Sequence, residues 1–585
     1  RAQLAGPPPQ TEITRPVGLL LSDSDRAAQQ AGGTFSDIVD RDGWTNDVPV
    51  LAWLLVVELI YLLGLPLTMF IFRPLPDRGI VLARILGLLG VSYVAWLLVS
   101  LGWTDFSRTA VYLGMGVLAL SSATVLVFKW REIRDFLSAH WRLFLFGEGL
   151  FLVAFLAFVA LRYANPDLWH PFRGGEKPME LAYLNAVIRS TTLPPFDPWF
   201  AGGYLNYYYW GYFVISGIVR VTGVLPTTAF NLAVPMFFAL TVTGAYSLVY
   251  NLTEGVRQRR SVSASAITGT ATADFDTASP PASHGPPSQG PVSQRLIAWW
   301  RPRLWSPVAA GLMAGLFIAV IGNLDGIVQV VQGTWYLAVD GTPFPAFDFW
   351  RSSRMLPPLE NFDPSPAAFW VPDVISGASD VSFHITEFPF FTFLFADLHA
   401  HMMVIPFTLL VIGLGLNLVV GLRDGGRLWT SLAVAALAVA LGSLWVVNSW
   451  DYPSYAVLVF GLLGLAVYFS RGSLPAKVLL FGVLAVSVFA ISLLVFLPFH
   501  QSYETFNSGL DVSKWRTPVG RYLGVHGLFI FIVVTFLLVQ SRDILRSLLK
   551  GLLDRSHGPE PQDLRWPRAA LGLGLLIAAY LAIAG

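Results

Sequence analysis

Residues 50–72 read VLAWLLVVELIYLLGLPLTMFIF, a stretch long and apolar enough to cross a membrane as one helix. A hydrocarbon core about 30 Å thick requires about 20 residues of helix. Stretches of the same character recur at 79–101, 109–128, 143–161, 308–321, 402–422, 428–447, 455–469, 478–497, 522–539 and 569–584. A further apolar stretch at 207–252, interrupted by Arg220 and Pro226, could hold one full span and a half-span, or two. The sequence therefore predicts an all-α polytopic transmembrane protein with about 12 helices.

The composition excludes a soluble globular protein. Hydrophobic residues make up 54% of the chain and charged residues 13%, whereas soluble domains carry about 25% charged residues. The formal net charge of +1 and the scattered basic residues do not indicate a nucleic-acid partner. Because cysteine is absent, disulfides and thiolate metal ligands are excluded. We find no P-loop and no dinucleotide-binding glycine motif, so we expect no ATP site. The hydrophobic composition makes the lipid bilayer the expected partner.

Two polar segments indicate how the chain is organised. Residues 1–49 and 253–304 contain few large apolar residues, and the second segment is rich in Ser, Thr, Ala, Pro and Gly. The predicted layout is a flexible N-terminal tail at 1–49, a first transmembrane module at 50–252 with an acidic external loop at 162–206, a disordered linker at 253–304, and a second transmembrane module at 305–585 with an external loop at 322–401.

The lysine and arginine residues of short loops predict the orientation, since such loops stay cytoplasmic. These residues are Lys129, Arg131, Arg134, Arg142, Arg257, Arg259, Arg260, Arg295, Arg301, Arg303, Arg423, Arg427, Arg471, Lys477, Arg542, Arg546, Lys550, Arg555 and Arg565. The loops at 161–206, 322–402, 448–454 and 498–521 are then external. This orientation requires an odd number of crossings in 207–252, so we expect a re-entrant or interfacial 207–222 followed by one span. We expect a multi-pass protein of the cell (plasma) membrane with its candidate site on the external face.

The first external loop carries two acids at helical spacing. Glu176 and Glu180 are four residues apart where a helical pattern of apolar residues begins, so both carboxylates should share one helix face near its N-terminus. Acids at a helix N-terminus can be solvated side chains that only stabilise the helix. They can also provide a general base over a membrane-bound substrate.

An aromatic block follows this predicted helix, at Tyr204, Tyr207, Tyr208, Tyr209, Trp210, Tyr212 and Phe213. A belt of aromatic rings at the membrane interface would explain the block. It explains less well Gly202, Gly203 and Asn206, which add flexible backbone and an amide. Such a segment suits a sugar or a lipid phosphate, and the candidate substrate-binding residues here are Asp197, Asn206, Tyr207, Tyr208 and Tyr209.

The second external loop ends in Asp397, His399 and His401, at alternating positions just before a span. On an extended segment the three side chains would point one way and could hold a divalent cation or a phosphate. Histidines at an interface can instead be hydrogen-bonded contacts to lipid headgroups. A divalent cation held by these three residues is the candidate cofactor.

Two arginines lie earlier in the same loop. Arg351 and Arg354 are three residues apart and could form a fork around a lipid phosphate or diphosphate. The alternative is that they pair with Asp348 or Glu360.

Three motifs together resemble a known family. They are GEKPMELAYLNA at 175–186, PPFDPWFAGGYLNYYYWGYF at 194–213 and FADLHAHMMVIPF at 395–407. They resemble the uncharacterised prokaryotic family of very hydrophobic membrane proteins with a Tyr-Tyr-Tyr (YYY) motif, which is itself similar to GT-C type membrane glycosyltransferases. The resemblance implies a GT-C-like fold and sugar transfer from a polyprenyl-phosphate carrier, with an acid of the first large external loop as base. Glu176 is the closest counterpart of that acid, and Glu180 is the second.

Three functions remain open on the sequence. The first is a membrane glycosyltransferase whose candidate catalytic acids are Glu176, Glu180 and Asp397, with the phosphate of a polyprenyl-phosphate-linked sugar stabilised by Arg351, Arg354 or His399. The second is a lipid or solute transporter or flippase, for which the near absence of charge inside the predicted spans is unfavourable. The third is a non-catalytic membrane scaffold with a glycosyltransferase-like body.

Overall fold

The computed structural model describes residues 19–32, 38–169, 175–207, 209–268, 306–343, 347–355, 386–504, 517 and 519–553. Regular secondary structure in these ranges is helical, with two isolated β-bridges. In chain order the helices are α1 (Asp23–Ala31), α2 (Trp44–Asp47), α3 (Pro49–Ile71), α4 (Ala83–Ser100), α5 (Arg108–Ala139), α6 (Trp141–Ala164), α7 (Lys177–Arg189), α8 (Tyr209–Thr222), α9 (Pro226–Thr268), α10 (Pro307–Ala319), α11 (Asp325–Ala338), α12 (Phe349–Ser352), α13 (Pro389–Phe395), α14 (Ala400–Met403), α15 (Ile405–Gly421), α16 (Gly426–Val447), α17 (Asp451–Phe469), α18 (Leu474–Leu494), α19 (Leu497–Ser502) and α20 (Val519–Leu553).

The prediction of an all-helical membrane protein is confirmed. In the ranges given above, ten helical segments are long and apolar enough to cross a membrane. They correspond to α3, α4, α5, α6, α9, α14 with α15, α16, α17, α18 and α20. The stretch predicted at 308–321 forms α10, which at 13 residues is shorter than a full span. The stretch predicted at 569–584 lies outside the described residues.

The first compact unit comprises Arg1–Ala319 and Ala396–Phe506. In this unit α9 packs along α6 and α10, the helices α3, α4 and α5 pack together, and α15 to α18 form another packed group. Helix α8 contacts α3, α4 and α5 and also α9 and α16, and it is buried along most of its length. Its 14 residues extend about 21 Å, less than a bilayer core. A short α8 followed by the single long α9 agrees with the expectation for residues 207–252.

Helices of the first unit approach each other closely at glycines. A Cβ atom on Gly114 of α5 would lie 2.5 Å from the carbonyl oxygen of Val91 in α4. A Cβ atom on Gly442 of α16 would overlap the carbonyl oxygen of Ser492 in α18. Small residues at such contacts let the backbones of membrane helices pack directly.

The second compact unit comprises Val320–Phe395 and Asn507–Gly585, and its described helices are α11, α12, α13 and α20. The backbone N–H of Leu324 donates to the carbonyl of Gly524 at 3.0 Å. The rings of Phe388 and Phe529 stack with centroids 5.8 Å apart. These two contacts join the starts of α11 and α13 to α20.

The predicted tail and linker are only partly described. Within 1–49, Leu21 donates its N–H to the carbonyl of Gly202, and α1 and α2 are formed. Helix α9 continues into the first residues of the predicted linker, to Thr268. The remainder of 253–304 lies outside the described residues, so the module layout stays a prediction.

Candidate active site

The site begins where α7 starts. Pro178 lies in the first turn of α7, where its fixed φ favours helix initiation and its missing N–H is not needed. Glu176 is the residue that precedes the helix, and its carbonyl accepts from the N–H of Glu180 at 2.9 Å. The two acids differ in burial, since the Glu176 side chain is 54% exposed whereas Glu180 is fully buried. The predicted helix is therefore observed, but its two acids have different surroundings.

A short segment before α14 lies against this helix start. Ala396 has a φ of 62°, in the left-handed region that residues with a Cβ rarely adopt. After this turn the backbone N–H of Leu398 donates to Glu180 Oε2 at 2.7 Å. The N–H of Glu176 donates to Asp397 Oδ2 in a long hydrogen bond of 3.5 Å. Two segments far apart in sequence are thus joined through their acids.

The two histidines extend from this junction toward solvent. His399 Nε2 lies 3.0 Å from Glu176 Oε2, and His399 Nδ1 lies 2.8 Å from His401 Nδ1. If His399 donates to the carboxylate through Nε2, its neutral ring accepts at Nδ1, and His401 is then the donor to it. The hydrogen bond from His399 lowers the pKa of Glu176. Glu176 is therefore ionised at neutral pH and linked to two proton carriers.

The buried part of the site holds two acids and a lysine. Burial raises the pKa of Glu180 well above its ordinary value, and the neighbouring Asp397 raises it further. Lys177 is buried beside them, and burial lowers its pKa while Asp397 acts in the opposite direction. Glu180 Oε1 has no hydrogen-bond partner among the residues that the structure describes. Burial therefore favours the protonated form of Glu180, whereas the hydrogen bond from His399 favours the ionised form of Glu176.

The geometry around Asp397, His399 and His401 bears on the predicted metal site. Asp397 is buried against the amide of Glu176, while the two histidines contact each other. No group of three His, Asp or Glu side chains in the described ranges is arranged to hold a metal ion. The divalent cation stays a prediction, and no chemical step below requires it.

The tyrosines of the aromatic block contact different parts of the chain. Tyr207 donates its hydroxyl to Asn448 Oδ1 at 2.6 Å and accepts from the N–H of Ser449 at 3.2 Å. Tyr209 is buried, and its hydroxyl accepts from the indole N–H of Trp96 at 3.0 Å. Tyr208 lies outside the described residues. The hydroxyls of Tyr207 and Tyr209 therefore bond to other parts of the chain, so a contact of Tyr207 with a sugar would use its ring.

The other two predicted binding residues of this loop make local contacts. Asn206 donates from Nδ2 to the carbonyl of Glu504 at 2.6 Å and accepts from its N–H at 2.8 Å. Asp197 Oδ1 accepts from the N–H groups of Trp199 and Phe200 at 2.8 and 3.1 Å. Both side chains thus hold backbone segments in place.

Arg351 and Arg354 belong to the second unit and pair with acids there. Arg351 forms an ion pair of 2.7 Å with the buried Asp325, and Arg354 forms one of 3.0 Å with Glu387. These partners differ from the two acids considered on the sequence. Of those two, Asp348 accepts from the N–H of Trp350, and Glu360 lies outside the described residues.

A charged cluster that was not predicted from the sequence lies among the candidate spans of the first unit. Arg84 of α4 is 1% exposed and forms hydrogen bonds with Glu58 of α3 and with Glu148 of α6. Its guanidinium also lies 4.1 Å from the ring centroids of Tyr61 and Phe151. Glu58 stands in the middle of residues 50–72, and that placement was the available signal. Buried charges within membrane spans are costly, which favours a function for this cluster beyond packing.

Comparison with known proteins gives a family and nothing finer. The family described as uncharacterized membrane protein (DUF2298) matches residues 91–585. The curated proteins yield no significant match to the chain, and neither do the solved structures.

Proposed function

The chain belongs to the DUF2298 family of uncharacterized membrane proteins, and from its own site we propose that it is a membrane glycosyltransferase with a GT-C-like fold. It transfers a sugar from a polyprenyl-phosphate donor to an acceptor hydroxyl at the external face of the plasma membrane. The fold and the donor come from the resemblance of the three motifs, and the assignment of residues comes from the geometry.

The observation that carries the proposal is the pairing of Glu176 with His399. Glu176 is ionised, more than half exposed, and 3.0 Å from a histidine that contacts a second histidine. A general base must reach its proton directly and must be unprotonated at working pH. Glu180 is fully buried, and its raised pKa disfavours the unprotonated form that a base needs. Glu176 is therefore the base, and Glu180 is a positioning residue.

The reaction balances with the residues of this site. Glu176 takes the proton of the acceptor hydroxyl, whose oxygen forms a bond to the anomeric carbon of the sugar. The bond between that carbon and the phosphate oxygen breaks, and polyprenyl phosphate leaves with the electron pair. Lys177 is the nearby basic group that can offset the charge of the departing phosphate. Attack opposite to the leaving group inverts the anomeric configuration.

Glu180 and Asp397 fix the base rather than take part in proton transfer. Glu180 accepts from the N–H of Leu398, which holds the segment carrying His399 against α7. Asp397 accepts from the N–H of Glu176, which orients the backbone of the base. An enzyme group that is held by packing and hydrogen bonds keeps the short distances that reaction needs.

The test is transfer of a labelled sugar from a polyprenyl-phosphate donor by the full chain in lipid vesicles. Glu176→Gln should lower the rate by about 10²–10⁴-fold, the usual contribution of a general base. The matched control is Glu132→Gln, since Glu132 is 40% exposed and likewise forms an ion pair, with Arg78 at 3.1 Å, away from the site. Full transfer by Glu176→Gln, or equal loss in both variants, would contradict the assignment.

A transporter is the second candidate, and the cluster around Arg84 favours it. Charges buried inside several spans are typical of transport pathways, and Glu58, Arg84 and Glu148 come from three different spans. Movement of a lipid or solute across vesicles without chemical change, abolished by Glu58→Gln but not by Glu176→Gln, would support this function. A scaffold would show neither transfer nor movement.

A further inference from the structure

A groove opens on the first unit at the opposite end of α15 from the candidate active site. The segment from α14 through α15, Ala400–Gly421, has 22 residues and extends about 33 Å. His401 is near its first residue and Arg423 follows its last, so the two ends are separated by about one bilayer core. The groove has a volume of about 640 Å³ and lies at the Arg423 end.

Helix faces form the apolar walls of this groove. One wall is a stripe of α9 with Leu252 and Val256, and the other is a stripe of α15 with Leu416, Val419 and Val420. The spacing of three and four residues keeps each stripe on one helix face. Both α9 side chains are about half exposed, at 49% and 51%. The groove can therefore accept the upper part of an acyl chain.

Two arginines lie where the apolar walls end. Arg259 continues the α9 stripe, and Arg423 continues the α15 stripe one turn beyond the apolar residues. Neither guanidinium has a hydrogen bond or an ion pair with any residue that the structure describes, and both are exposed. The acid of the groove, Asp424, pairs with Arg471 at 3.0 Å. The mouth of the groove therefore carries a net positive charge that its own acid does not neutralise.

We propose that this groove binds an anionic phospholipid of the leaflet opposite to the candidate active site. Its phosphate lies between Arg259 and Arg423, and its first acyl carbons lie along Val256 and Val419. Basic groups at the ends of membrane helices favour anionic headgroups, and the continuous apolar walls favour a lipid over free phosphate. The site does not depend on the proposed sugar transfer.

Native mass spectrometry of the purified full chain tests the site. Phosphatidylglycerol is the probe, phosphatidylcholine is the zwitterionic comparison, and inorganic phosphate is the competitor. The double variant Arg259→Gln with Arg423→Gln should bind phosphatidylglycerol roughly 30-fold more weakly, which corresponds to about 1 kcal/mol for each arginine. Val256→Trp should also weaken binding, because it fills the groove at an exposed residue without changing charge.

The matched control removes the same charge elsewhere. Arg26 and Arg41 are exposed arginines that precede α3, whereas the groove residues Pro74, Leu75 and Pro76 follow the other end of that helix. Their double change to glutamine should leave binding within about threefold, since distant charges are screened. The proposal is overturned by equal loss in the control, by equal binding of phosphatidylcholine, or by displacement of the lipid by inorganic phosphate. Unchanged binding by Val256→Trp would contradict the acyl-chain wall.

Discussion

Glu180 gives the sharpest test of how the candidate site is built. Its side chain is fully buried, and its Oε2 accepts from the N–H of Leu398 at 2.7 Å. Glu180→Gln keeps the shape and the acceptor oxygen and resembles the protonated acid. Glu180→Ala removes both. If Glu180 is neutral and holds the His399 segment, the two variants should differ strongly in stability.

The magnitudes follow from the contacts. Glu180→Ala leaves the buried N–H of Leu398 without its acceptor, which costs about 1–3 kcal/mol, and loses the burial of a methylene, about 0.8 kcal/mol. We expect the free energy of unfolding to fall by about 2–4 kcal/mol in total. At about pH 4.5 and below, where the unfolded chain also carries a protonated Glu180, Glu180→Gln should change it by no more than about 1 kcal/mol, since a neutral hydrogen-bonded side chain replaces another.

The pH dependence has a definite sign. The pKa of Glu180 is raised above its ordinary value of 4.5 in the folded chain, so above that pH the unfolded chain binds fewer protons than the folded one. Stability therefore falls as pH rises from 4.5 toward the raised pKa, by at most about 1.4 kcal/mol per pH unit. Glu180→Gln has no such group and should become more stable relative to the wild type over this range.

Thermal unfolding in detergent between mildly acidic and mildly alkaline pH measures both effects. The wild type and the two variants are compared at each pH, so that other titrating groups cancel. The reasoning is refuted if Glu180→Gln destabilises the chain as much as Glu180→Ala does. It is also refuted if the stability difference between Glu180→Gln and the wild type stays constant over this pH range.

Two further predictions concern packing. Arg84→Ala should lower the free energy of unfolding by about 3–5 kcal/mol, because it leaves Glu58 and Glu148 without their buried partner. Arg134→Ala, at the exposed ion pair with Asp135, should cost less than about 1 kcal/mol, and equal effects of the two changes in thermal unfolding would show that Arg84 is not structural. Asn206→Ala should cost about 1–3 kcal/mol through its two lost bonds to Glu504, and a loss of donor binding with unchanged stability would instead make Asn206 a substrate contact.

The candidate site divides its acids by surroundings rather than by sequence. Glu176 and Glu180 are one helical turn apart and are the same residue type, yet Glu176 is more than half exposed and contacts His399, whereas Glu180 is buried. Under the proposed function Glu176 is the base and Glu180 is the positioning acid, one helical turn apart.

Hydropathy and length determine the spans because both are local properties. A run of about 20 apolar residues satisfies its own backbone as a helix in lipid whatever lies around it. For the same reason the helix after Glu176 and the short segment before α9 could be predicted from residue spacing. The partners of the charged residues could not, and Glu58 was overlooked because its partner Arg84 is 26 residues away in another helix.

The tertiary structure alone decided which polar residues meet. The bond from Leu398 to Glu180 joins residues 218 apart, and that from Glu176 to Asp397 joins residues 221 apart. No local pattern encodes such pairs, because they depend on how the helices between them pack. Packing also decided which of the two acids is buried, and burial raises the pKa of Glu180. The sequence by itself determined a helical membrane protein with acids and histidines in two loops, and the packing of its helices brought those loops together.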